Sequence, residues 1–234
     1  MSKRVAVVQS SYIPWKGYFD LMNRVDELIL FDDVQYTRRD WRNRNRIKTP
    51  RGPAWLSIPV QAKGNYLTAI KDITLSDPAW GRRHLEVLAV NYRPARHFKT
   101  YEELFAELYL CNRDTHLSAV NRRFLAALCG VLGIDTKLTF SMEYSFDRAE
   151  PDRTKRLIDL CRRAGATAYL SGPTARNYMD EELFAREGLE LSYMDYSGYP
   201  EYHQLHPPFE HAVSILDLIF NEGPDAPKYM LSFR

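Results

Sequence analysis

The chain has 234 residues, of which 45% are hydrophobic and 26% charged, with a net charge of only +2. This is the composition of an ordinary globular enzyme, and the near balance of charge excludes binding of nucleic acid by bulk charge, so any basic patch has to be local. No stretch approaches the ~18 apolar residues of a membrane-spanning helix, and the opening MSKR leads into a strand and not a signal-peptide core, so a cytoplasmic protein is expected.

A first strand over 4–9 runs into the turn SSYIPWKG and a helix over 16–24. Pro14 fixes that turn and Gly17 permits close approach, so the free N–H groups opening the helix face whatever fills it. Gln9, Tyr12, Lys16 and Gly17 are the candidate ligand contacts here, while Trp15, Tyr18 and Phe19 read as packing. The turn has the place of the HxGH signature of nucleotidylyltransferases and pantothenate-synthetase-like ligases. Trp15 and Tyr18 stand where the histidines would be, so it marks a site without that catalysis.

A second strand over 27–31 ends in Asp32, Asp33 and Gln35. Successive side chains diverge, so at most one carboxylate faces a crevice. It suits an amine, a ribose hydroxyl or Mg²⁺, or a turn cap. In the following YTRRDWRNRNRIKT, an extended backbone would put Arg42, Arg44, Arg46 and Lys48 on one face and Asn43 and Asn45 on the other. Such a cationic row suits phosphate, and the alternative is a solvated, charge-protected edge strand. Tyr36 and Trp41 interleave with it as in an RNA platform, but with so little net charge nucleic acid is not the expected partner.

Strands over 54–60 and 69–75, joined across Gly64-Asn65, read as an edge hairpin. Helices follow over 78–92, 101–110 and 117–132, a helical insertion or subdomain over 78–133 of one 1–234 domain. Asp77-Pro78 is read as a helix start. A strand over 136–140, a helix over 153–164, a strand over 168–171, a helix over 180–187 and a strand over 189–196 restore a strand–helix rhythm. Gly165 and Gly188 close its helices. The fold class expected is α/β, a mainly parallel, Rossmann-like sheet flanked by helices. Cys111, Cys129 and Cys161 read as buried free thiols.

The turn after 168–171, with Ser171 and Gly172, is a second candidate anion cradle, toward which Arg176, Asn177 and Tyr178 project. The segment 192–214 gathers Tyr193, Tyr196, Tyr199 and Tyr202 with His203, His206 and His211, shaped by Pro200, Pro207 and Pro208 before a helix over 211–220. It reads as a binding wall or lid. Tyr202 and Gln204 are candidate contacts, and His206, His211 and Asp33 the catalytic candidates, a histidine serving as general base. His203 and His206 lack a third ligand, so no metal site is expected. No G-x-S-x-G, P-loop or complete G-x-G-x-x-G is present, so hydrolase, kinase and dinucleotide readings have no motif.

The strings VAVVQSSYIPWKGYFDLMNRVDE, FDDVQYTRRDWRNRNRIKT, YLSGPTARNYMDEELF and YHQLHPPFEHAVSILDLIFNEGPDA, in that order from Val5 to Met230, resemble the WbqC-like family of bacterial surface-polysaccharide gene clusters, O-antigen pathways included. The resemblance implies a cytoplasmic enzyme acting on a nucleotide-linked amino sugar. The expected activity is acyl or aminoacyl transfer: Lys16 and the basic row hold phosphates, Asp32 or Asp33 places the sugar amine, and His206 or His211 takes its proton. The donor would be a carrier-protein thioester without ATP, or a free acid with ATP and Mg²⁺. The alternatives are an ATP-dependent nucleotidyl-transferase or ligase, and a non-catalytic glycan-binding or assembly factor.

Overall fold

Val5, Ala6 and Val7 are all buried, so the first strand has protein on both of its faces. In the computed structural model, which describes residues 2–62 and 67–233, the strands are β1 (Arg4–Val8), β2 (Glu27–Leu30), β3 (Arg44–Thr49), β4 (Gly52–Ser57), β5 (Lys137–Phe140), β6 (Ala168–Ser171) and β7 (Glu190–Tyr193). Five of them form one sheet in the order β5-β2-β1-β6-β7, and each neighbouring pair is parallel. This is the expected α/β class. The apolar runs VAVV and ELIL have no polar alternation because a parallel sheet is covered on both sides.

The helices are α1 (Lys16–Asn23), α2 (Trp80–Tyr92), α3 (Phe98–Leu110), α4 (Leu117–Leu132), α5 (Arg153–Arg163), α6 (Glu181–Arg186) and α7 (Ile215–Glu222). Ala6, Leu28 and Leu30 face one layer, with Phe19 and Met22 of α1, Leu88 and Tyr92 of α2, Phe105 of α3, Phe124 of α4 and Phe220 of α7. Val5, Val7 and Ile29 face the other, with Ile158 and Leu160 of α5 and Phe184 of α6. The middle helices thus share a core with the sheet. No helix among the described residues is long and apolar enough to cross a membrane.

Local chemistry explains most boundaries. Asp152 accepts from Thr154 N (2.8 Å) and Lys155 N (3.1 Å) to open α5, and Asp180 accepts from Leu183 N (2.9 Å) to open α6. Gly165 and Gly188 sit at φ +70° and +72°, the left-handed stop expected after each.

Four expectations need correction. The hairpin lies one step earlier: β3 pairs antiparallel with β4 from Arg44↔Ser57 to Thr49↔Gly52. Residues 69–75 form only a 3-10 turn, Ile70–Asp72, and isolated bridges such as Val60↔Leu75, and the Gly64-Asn65 turn lies outside the described residues. Helix α2 starts at Trp80, because Asp77 Oδ1 takes Ala79 N (2.8 Å) in a turn ahead of it. Helix α7 starts at Ile215, capped by Ser214, which leaves His211 in the loop. Of the three thiols, Cys129 and Cys161 are buried but Cys111 is exposed.

Candidate functional site

The chain runs outward from β1 through β2 to β5 and then continues on the other side of β1 with β6 and β7. The crevice beyond the carboxyl ends of β1 and β6 is therefore the topological switch point, where ligands bind in open α/β sheets. The turn leaving β1 there is held from three directions. Ser10 N donates to Asp32 Oδ1 (2.9 Å), Asn121 Nδ2 donates to Ser10 Oγ (2.9 Å), and Tyr12 N donates to the Trp41 carbonyl (3.1 Å). Ile13 sits at φ +37°, a costly conformation for a β-branched residue that only fixed surroundings maintain.

Helix α1 begins in this turn with no side-chain cap. The Trp15 indole folds over the helix start so closely that a Cβ at Gly17 would lie 2.3 Å from it. The same indole packs on Tyr196 and Tyr199, with ring centres 5.1 and 5.8 Å away. Lys16 is only 3% exposed. Its Nζ stands 4.8 Å from the Tyr199 ring centre, 5.2 Å from Tyr202 and 5.8 Å from Phe209, and donates to the Pro200 carbonyl (3.4 Å). The first turn and the aromatic loop thus close on one cation, as a π-face attracts positive charge.

Arg42 lies beside the turn that leaves β1, its carbonyl accepting from Asn121 Nδ2 (2.9 Å). Its side chain is 12% exposed, its Nε is buried without a hydrogen-bond partner among the described residues, and it lies 3.8 Å from Asp40. Its charge acts on Tyr18 and Asp32. Tyr18 donates to the Gln9 carbonyl (3.2 Å), and burial drives its ionisation far up against the opposing pull of Arg42. Burial likewise raises Asp32, which accepts from Ser10 and Ser118. Asp32 therefore shapes the turn.

The two candidate bases part company. His206 Nε2 donates to the Asn91 carbonyl (3.0 Å), which ties the ring to α2. His211 is exposed beside Phe209, ring centres 4.6 Å apart. Partial burial and then the Lys16 charge lower its pKa from 6.5, against Glu201 and Glu210, which raise it. The shift favours the neutral imidazole, next to the Lys16 cage.

Other candidates are occupied by the fold. Tyr12, read as a ligand contact, is fully buried between His84 Nδ1 (2.8 Å) and the Tyr109 hydroxyl (2.7 Å). Asp33 accepts from Ser141 Oγ (3.1 Å) and Arg148 Nε (2.9 Å), away from both histidines' partners. Asn43 joins the Tyr36 hydroxyl to the Ile58 carbonyl, and Asn45 donates to the Tyr12 carbonyl. On β3, Arg44, Arg46 and Lys48 do share a face, but Lys48 is 1% exposed, covered by the loop through its bond to the Pro208 carbonyl. Gln204 pins the loop to both backbone groups of Glu210 and to Tyr202, which donates to Asp217. Gln35 is exposed and bridges to Ala69.

At the second cradle Ser171 is buried, with its carbonyl accepting from Met194 N (2.8 Å), and the Gly172 carbonyl accepts from Ala175 N. Arg176 lies over the Tyr193 ring at 4.7 Å, and Asn177 and Tyr178 are exposed beside it. Trp15, expected to pack, meets Tyr196 and Tyr199 of the expected binding wall, and Phe209, not among the candidates, joins Tyr199 and Tyr202 around Lys16. Their signal was the density of aromatics in 192–209, without a way to know what they would enclose. Among the described residues no three His, Cys, Asp or Glu side chains gather as a metal site.

The profile of the WbqC-like protein family matches residues 9–229. An uncharacterized protein of Mycobacterium tuberculosis, Rv1507c, is 48% identical over 228 residues, covering 97% of each chain. No solved structure matches.

Proposed function

The chain belongs to the WbqC-like protein family, and on that premise we propose that it is a transferase of bacterial surface-polysaccharide (O-antigen) biosynthesis, joining an acyl or aminoacyl group to an amino sugar carried on a nucleotide. The nucleotide sugar lies in the crevice beyond β1 and β6. Arg42 meets its diphosphate, and Trp15 and Tyr196 give it apolar walls. Lys16, held in its aromatic cage, supplies positive charge at the reacting end.

His211 takes the proton from the sugar amine as its nitrogen attacks the carbonyl carbon of the donor. The N–C bond forms, the bond to the leaving group breaks, and the imidazolium returns the proton to that group. A protonated amine has no lone pair, so the base has to be neutral at working pH, the form that burial and the Lys16 charge favour for His211. The observation that supports this reading is that Lys16 and His211, 195 positions apart, both stand against Phe209, where the Lys16 charge acts on the imidazole.

Thermal unfolding with a panel of nucleotide-linked amino sugars tests it. A rise in Tm with these compounds, absent with the free sugars, is expected. If no nucleotide sugar moves Tm, the reading fails in favour of an assembly factor.

A further inference from the structure

The outer face of the β3–β4 hairpin carries cations that the transfer step does not use. Asn45, Ile47 and Leu56 point into the core, whereas Arg44, Arg46, Trp55 and Ser57 share the opposite face. The Arg44 guanidinium stacks 4.1 Å from the Trp55 ring centre and Arg46 lies 6.0 Å from it. Trp55 and its neighbour Trp41, ring centres 5.3 Å apart, are 46% and 41% exposed.

Beside this platform lies a groove of about 410 Å³ walled by Arg38, Arg39 and Arg44, with Tyr36, Asn43 and Ile58 beneath. Its floor is rigid. The Tyr36 hydroxyl donates to Asn43 Oδ1 (2.9 Å), Asn43 Nδ2 donates to the Ile58 carbonyl (2.8 Å), and Ile58 N returns to the Asn43 carbonyl (2.7 Å). Arg44 donates to the Arg39 carbonyl, which brings those two residues side by side. Arg44 Nε is buried without a hydrogen-bond partner among the described residues. Asp40 supplies one opposing charge, and it leans toward Arg42. Three guanidiniums around a preformed polar floor repel one another until an anion lies between them, and Arg forks match phosphate oxygens in pairs.

We propose that this groove is a second anion site, holding a phosphate group of the donor substrate while the crevice holds the nucleotide sugar. The step from an anion site to a donor site rests on the two-substrate reading above; the anion site itself does not. Arg42 serves the crevice and Arg44 the groove, and two residues span at most ~7 Å of chain. One short segment therefore brings two anionic substrates next to each other.

Calorimetric titration of inorganic pyrophosphate, with Arg38→Gln/Arg39→Gln and Arg42→Ala as variants, tests this. Arg38 and Arg39 are exposed, so the double variant keeps its fold. It should bind pyrophosphate at least tenfold more weakly than the wild type and bind a nucleotide-linked amino sugar within twofold of it. Arg42→Ala should show the reverse. Pyrophosphate should also bind undiminished to protein saturated with the nucleotide sugar. Unchanged pyrophosphate affinity in the double variant, or competition between the two ligands, overturns the proposal. So does a single-stranded polynucleotide that outcompetes pyrophosphate for the same arginines. If nucleotide sugars bind nowhere but pyrophosphate still depends on Arg38 and Arg39, the anion site stands and the transferase reading falls.

Discussion

Lys16, in the first turn of the first helix, directs its ammonium at the Tyr199 ring from 4.8 Å. Tyr199 in turn donates its hydroxyl to Asp20, one helical turn beyond Lys16. The aromatic loop is thus clasped to α1 at two points, one cationic and one anionic. Lys16→Met keeps the apolar stem and loses the charge. A buried cation–π contact is worth about 2 kcal/mol, and Met refills the space, so a loss of at most about 2 kcal/mol in urea unfolding is expected. Nucleotide-sugar binding should fall at least tenfold. A variant that binds as well as wild type would reduce Lys16 to a structural strut.

Asp20 holds more than the loop. Its carboxylate also accepts from Leu231 N (3.0 Å), Ser232 N (2.8 Å) and Ser232 Oγ, so one buried group anchors the C-terminal turn and Tyr199 together. Asp20→Ala strands several half-buried donors, at about 1–3 kcal/mol each where water does not reach them. The expected outcome is a loss of at least about 3 kcal/mol with faster proteolysis near residue 231. A loss below 1 kcal/mol would show that water replaces the carboxylate.

Trp15 occupies the space that a side chain at position 17 would need. Gly17→Ala gains about 1 kcal/mol of helix propensity, yet it forces the indole off Tyr196 and Tyr199, and overpacking costs about 1–3 kcal/mol. A net loss of stability with a shifted tryptophan emission is expected. Stabilisation would mean that the indole moves freely.

His84 predicts an acid weakness. Its Nε2 donates to the Ser57 carbonyl (3.1 Å), so Nδ1 is the acceptor for the Tyr12 hydroxyl, which accepts in turn from Tyr109. Burial, and then the charge of Arg83, lower its pKa from 6.5 to about 4, against the opposing Ser57 bond. Between these values the unfolded chain binds the proton and the folded chain does not. Stability contributed above pH 6.5 is therefore lost as pH falls toward 4, on the order of 3 kcal/mol. Asp32 and Asp217, raised by burial, act in the opposite sense, adding stability as pH falls through their elevated values. His84→Gln can keep both hydrogen bonds without titrating. Its urea midpoint should fall less than that of the wild type between pH 6.5 and 4.5, and an equal fall would assign the acid loss to other groups.

The two loop histidines should separate kinetically. His211→Ala should lose at least a hundredfold in turnover, the scale of a general base. His206→Ala should lose stability through its Asn91 bond and keep its kcat. Because the His211 pKa is lowered, the acid limb of the wild-type rate profile should fall below pH 6.5 and vanish in His211→Ala. Full activity in both variants would remove histidine from the mechanism.

What could be read along the chain was whatever local periodicity and chemistry encode. The doubly covered strands 4–8 and 27–30 and the stops at Gly165 and Gly188 belong to this class. The shared face of Arg44, Arg46 and Lys48 does too, since a strand alternates by residue whatever it pairs with. Tertiary structure decided how each of those side chains is used. Lys48 and Arg44 have the same place in the pattern, yet one is sealed under Pro208 and the other walls an open groove. Tyr12 and Tyr199 are both tyrosines of polar, Pro-containing loops, but one fills the core and the other cages Lys16. A sequence sets the propensity of each segment. Burial depends on which segment arrives from far along the chain, and the sheet that crosses from β5 to β6 makes that choice.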